Sequence, residues 1–219
     1  MHVVTYLELS PDGVARSAPL VRNHAASSRS APGSRDHLVL REIARPNRFV
    51  MIEAWRDRAA ADGWSADRAA LSAELEADMI GGFDPRLHTE VSGISVTPPA
   101  DDPVYLVAHV DVFPPAMGRG VDLVGAEVAA ARSDRGNLAS GALRWDGHPN
   151  HLTLVSVWQD LEAAEAGLTT SHTRRFRAEL APIEGAPHDA RLHSAWPEAA
   201  SGPGPSPGAG LRRQGSEAS

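Results

Sequence analysis

The chain repeats itself. Sliding the sequence by 103 positions lays residues 1–57 on 104–160 without a gap, and 15 of those 57 pairs are identical. The matches cluster: Pro46-Asn47 followed by Trp55-x-Asp57 faces Pro149-Asn150 followed by Trp158-x-Asp160. Further on the offset grows to 105, where Asp84-Pro-Arg86-Leu87-His88 faces Asp189-Ala-Arg191-Leu192-His193. A two-residue insertion in the second half accounts for the shift. The period is too long and the copies too few for a solenoid. The chain divides into a first copy at 1–93, a Pro-rich linker at 94–103, a second copy at 104–196 and a tail at 197–219. The tail holds one Leu and no aromatic residue beyond Pro197. It cannot bury enough apolar area to offset its ordering entropy, so disorder is expected there.

Each copy reads the same way. Val3–Leu9 and Tyr105–Val112 are short, apolar and β-rich. Val14, Ala18, Val21, Ala25 and Met117, Val121, Val124, Val128 recur at helical spacing. Gly33 and Gly136 end those helices. The runs 37–43 and 138–145 are strands. Turns at Pro46-Asn47 and Pro149-Asn150 lead into their hairpin partners Phe49–Trp55 and Leu152–Trp158. Asp57 and Asp160 are placed to cap a second helix, broken near Gly63 and Gly167 and running on to about Met79 and Leu180. A last strand carries Arg-Leu-His. The order is β-α-β-β-α-β, so the predicted class is α+β with two tandem ferredoxin-like domains. Each such sheet has one face bare of helices. Two units in one chain cover these faces sheet to sheet, as an intramolecular pseudo-dimer or dimeric α/β barrel.

Composition narrows the chemistry. There is no cysteine, which excludes disulfides and thiolate chemistry. All 21 basic residues are Arg, so a Schiff-base or phosphate-loop lysine is excluded. The net charge of −7 argues against nucleic acid as a partner. No apolar run is long enough to span a membrane. The opening MHVVTYLEL has no basic stretch ahead of its apolar residues, so a cytoplasmic location is expected. No metal site is expected: His148 and His151 share one tight turn without further ligands.

The strands Phe49-Val-Met-Ile-Glu-Ala-Trp55-Arg-Asp and Leu152-Thr-Leu-Val-Ser-Val-Trp158-Gln-Asp resemble the signature strand of antibiotic biosynthesis monooxygenase (ABM) domains. Ser171-His172-Thr-Arg-Arg-Phe176-Arg177 is similar to that family's Ser-Pro-His-x-x-Phe helix. The resemblance implies an oxygenase that uses O₂ on an electron-rich aromatic polyketide or polyphenol in bacterial antibiotic biosynthesis. It would hydroxylate the ring to a quinone, or cleave or rearrange it. No cofactor is required, with reduced flavin as an option and a flavin reductase or a second copy of the chain as partner. The alternatives are a non-catalytic polyketide-binding module and a cofactor-free cyclase.

By this resemblance Trp158 lines the pocket and donates its N–H to a substrate oxygen, with Trp55 as its twin. The other reading of both is a core aromatic closing the strand. Arg177 falls where anthrone oxygenases carry an arginine for the substrate anion, a task suited to a permanently charged fork. Leu154 and Phe176 line the same pocket. His172 matches the family's His and is a candidate base. Strand alternation puts His109 on the face of Val107, with Tyr6 at the matching position of the first copy. Glu53 shares a strand face with Phe49, Met51 and Trp55, as either a raised-pKa base or a paired charge. Met51 and Leu154 stand where anthrone oxygenases carry Asn, and Ala61 and Ala164 where they carry Tyr.

Overall fold

A computed structural model describes residues 1–94 and 102–196. The tail at 197–219 and most of the 94–103 linker lie outside the described residues. The first copy contains β1 (His2–Glu8), α1 (Val14–Arg29), β2 (Ser34–Glu42), β3 (Arg48–Trp55), α2 (Arg58–Gly63), α3 (Ser65–Leu75) and β4 (Asp84–Ser92). The second repeats the order with β5 (Val104–Asp111), α4 (Met117–Ala131), β6 (Asn137–Trp145), β7 (His151–Trp158), α5 (Leu161–Gly167), α6 (Ser171–Leu180) and β8 (Asp189–Ala195).

Local signals explain the boundaries. The Asp57 carboxylate accepts the Ala60 N–H at 2.9 Å, and Asp160 accepts that of Ala163 at 2.8 Å, capping α2 and α5. Gly33 and Gly136 turn the chain from helix to strand at φ of 85° and 80°, a region that favours glycine. A Cβ on either would also press into Ala60 or Ala163. Helix α3 stops at Leu75, short of Met79. Met79 instead forms a bridge to Leu9, which draws the chain back to the sheet.

The two sheets do more than face each other. All eight strands form one closed barrel in the order β1-β3-β2-β8-β5-β7-β6-β4. The seams between copies are antiparallel: β2 meets β8 through Leu40, Arg41 and Glu42, and β4 meets β6 from His88 to Ser92. Pairing the outer strands leaves no sheet edge open. Strand alternation then sorts the side chains. Val4, Leu40, Val50, Ile52, Val107 and Val155 fill the barrel interior. The opposite faces pack under the helices, with Val39, Phe49 and Met51 below α1 and α3, and Leu152 and Leu154 below α4 and α6.

Candidate active site in the second copy

The structure puts the nine sequence-predicted residues in four places. Trp158, Leu154, Phe176 and Arg177 line one cleft, between the β5–β7 face and helices α4 and α6 of the second copy. His172 lies just behind it. Trp55 and Glu53 occupy the equivalent position of the first copy. Tyr6 and His109 meet inside the barrel.

Trp158 ends β7 and is 2 % exposed, yet its indole N–H has no acceptor among the described residues. A buried donor without a partner costs about 1–3 kcal/mol, so this N–H is an unspent binding group. The ring packs against Gly167, where a Cβ would come within 2.4 Å of it. Ser156 precedes it on the same face of the cleft. Arg177 sits exposed at the rim. His188 faces Phe176 edge-on at 6.2 Å, and its pKa is lowered by burial and by the Arg177 charge. The enclosed space is only about 40 Å³, so an aromatic ligand has to spread the cleft at its Arg177 rim.

The polar wall of the cleft comes from Glu127 on α4 and from Asp134 beyond its end. His172 does not line the cleft; it bridges these two carboxylates, with Nδ1 2.9 Å from Glu127 and Nε2 2.9 Å from Asp134. Burial favours the neutral ring, but the two acidic partners outweigh it and raise the imidazole pKa. The Thr173 hydroxyl lies 2.7 Å from the other Glu127 oxygen and 2.9 Å from the Gly167 carbonyl.

The first copy fills the same space with charge. Glu53 is fully buried and accepts the Trp55 N–H at 2.8 Å, so the indole that is unpaired in the second copy is satisfied here. Arg68 donates to the same oxygen at 2.7 Å. Burial pushes the Glu53 pKa up, but His24, His37, Arg68 and Trp55 together hold it below the usual carboxylate value. His24, His37 and Glu53 bring their ligand atoms within 4.8 Å of one another, a set able to hold a metal.

A larger cavity, about 420 Å³, is the barrel mouth lined by Tyr6, His109, Glu42, Asp189 and Arg191. The Tyr6 and His109 rings meet edge-on at 5.1 Å. His109 shares a hydrogen bond with His151 at 3.3 Å, and His151 another with Asp111 at 3.0 Å. Burial, then the His151 charge, lowers His109 to about 3, so the ring is neutral. Arg86 lies over the Tyr6 ring at 4.7 Å.

Sequence reasoning did not single out Glu127, His188, His24 or His37. One signal was present: the 103 offset pairs His24 with Glu127 and Glu53 with Ser156, so the copies differ in charge at these positions.

The fold matches solved structures along most of its length. One is a provisionally assigned monooxygenase from Fusobacterium nucleatum, at TM-score 0.74 and 11% identity over 89% of this chain and 91% of that one. Another is an anthrone oxidase-like protein, at 0.70 and 11% over 89% and 90%. A third is a provisionally assigned monooxygenase from Lactobacillus acidophilus, at 0.68 and 16% over 89% and 92%. At such identities the likeness is one of fold. No curated protein matches in sequence. A sequence model of the antibiotic biosynthesis monooxygenase family matches residues 1–73 and again 103–179, most of the chain, and the protein therefore belongs to that family, with two of its domains in tandem.

Proposed function

We propose that the protein is an oxygenase that binds an electron-rich aromatic ring, of the polyketide or polyphenol class, in the second-copy cleft. The unpaired Trp158 N–H carries this reading. A phenolic or anthrone oxygen supplies the acceptor that Glu53 supplies to Trp55 in the other copy. Loss of a ring proton gives an anion that can pass an electron to O₂ directly. Arg177 at the rim balances that charge. His188, kept neutral by burial and by Arg177, is assigned as the base. His172 is assigned a positioning role, because its two nitrogens are engaged by carboxylates. Leu154 and Phe176 hold the ring and keep water out. For an anthrone the balance is CH₂ + O₂ → C=O + H₂O, with one oxygen atom in the product and one in water. This stoichiometry needs no further reductant; a hydroxylation that does need one would draw on reduced flavin. Acting on such substrates, the protein would serve bacterial secondary metabolism.

Oxygen uptake by the purified protein with an anthrone or a polyphenolic benz[a]anthraquinone, with and without reduced flavin, tests the proposal. Trp158→Phe and Arg177→Ala should each lower kcat/KM by roughly 100-fold. Tight ligand binding with no uptake would favour a non-catalytic binding module. A second reading rests on volume: the barrel mouth, at about 420 Å³, holds a whole ring system beside Tyr6 and His109. In that case Tyr6→Phe and His109→Gln, not Trp158→Phe, depress turnover.

A further inference from the structure

The strongest unexplained feature lies in the first copy, away from the cleft. Three elements converge there: α1 brings His24, β2 brings His37 and β3 brings Glu53. His37 and Glu53 are direct cross-strand partners, and His24 comes down on them from the buried stripe of α1. The exposures are 9 %, 1 % and 0 %. Four polar atoms in this closed space have no hydrogen-bond partner among the described residues: His24 Nε2, both ring nitrogens of His37, and Glu53 Oε1. Buried polar groups are almost always paired, so four orphans in one pocket point to a missing ligand.

The pattern suits a cation. The His24 Nε2 to Glu53 Oε1 distance is 3.8 Å, too long for a hydrogen bond. The second Glu53 oxygen is tied off by Trp55 and Arg68, which leaves Oε1 aimed at the two histidines. Metal-bound carboxylates are supported in this way by donors on the outer oxygen.

We infer that His24, His37 and Glu53 form a binding site for a divalent first-row transition-metal ion. Two imidazoles and one carboxylate are the donors that Zn²⁺, Co²⁺, Mn²⁺ and Fe²⁺ accept, with at least one coordination position left open. A tetrahedral shell spaces its donors roughly 3.4 Å apart, so loading draws the three side chains inward by about an ångström. At the matching positions the second copy carries Glu127, Ser140 and Ser156, which lack an imidazole. The site therefore belongs to the first copy only. It contradicts the metal-free expectation from sequence, and it does not depend on turnover in the second-copy cleft.

The test uses the full chain, stripped with a chelator and titrated with Zn²⁺ by calorimetry and with Co²⁺ by visible absorption. One equivalent per chain, a cobalt d–d band and a thermal midpoint raised by metal are expected. His24→Ala and His37→Ala should each abolish the band and weaken binding by more than about 100-fold, beyond the effect of losing a supporting hydrogen bond. His148→Ala, in an exposed turn, should keep both. Circular dichroism without metal checks that the variants fold, and His37→Gln, close in volume, replaces any that does not. The inference fails if the wild-type chain takes up less than one equivalent. It fails equally if the cobalt band survives in both histidine variants.

Discussion

The two copies share a backbone and differ in what they bury beneath their helices. In the first, the indole of Trp55 is satisfied by one oxygen of Glu53, and Arg68 donates to that same oxygen. In the second, Ser156 and Thr173 replace Glu53 and Arg68, and the buried Trp158 N–H has no acceptor among the described residues. One substitution pair thus decides whether the space is an ionic core or a place for a ligand. Similar folding is compatible with opposite use of the interior.

Removing a cation from the first copy should break this contrast most severely. Arg68→Ala leaves a buried carboxylate unpaired, and urea unfolding should register a loss of about 3–5 kcal/mol. The twin change, Thr173→Ala, removes a hydroxyl that serves Glu127 and the Gly167 carbonyl, and should cost about 1 kcal/mol. Equal costs would mean that the first-copy pair is not the ionic core described.

The glycines after each signature strand sharpen the comparison next. Gly167→Ala drives a methyl into the Trp158 ring and should destabilise by about 1–3 kcal/mol. Gly63→Ala meets nothing within 4 Å and should stabilise by about 0.5–1 kcal/mol through helix propensity. Thermal unfolding of the two variants should move in opposite directions.

The smallest effect is one of pH. The His172 pKa is raised in the fold by Glu127 and Asp134 against the opposing effect of burial. Its contribution is therefore full below the unfolded imidazole value, near 6.5, and is lost as pH rises through the folded value. The stability difference between wild type and His172→Gln should shrink from pH 6 to pH 9. A difference that grows over that range would show that the imidazole is not held as a cation.

Much of the fold was legible because its signals are local. The repeat, the Asp57 and Asp160 caps, the turns at Gly33 and Gly136, and the breaks near Gly63 and Gly167 each depend on a few adjacent residues. The end of α3 was misplaced because Met79 is drawn off by Leu9, a partner some 70 residues away. Closure of the barrel through β2–β8 and β4–β6 has no local signal at all. The candidate site was legible in parts. Trp158, Leu154, Phe176 and Arg177, which the family resemblance pointed to, do share a cleft. His24 and His37 carry no local signal in the sequence. Only the packing of α1 over β2 and β3 brings them to Glu53. His172 gave no hint of its carboxylate partners, since Glu127 and Asp134 lie 45 and 38 residues away.

The seams between the copies have a consequence for heredity. A barrel assembled from two identical chains receives every substitution twice, once on each side of its symmetry axis. Here β2–β8 and β4–β6 join halves of a single polypeptide, so a change at position 53 leaves position 156 as it was. Covalent fusion releases the two interiors from identity, and selection can then act on each as a separate trait.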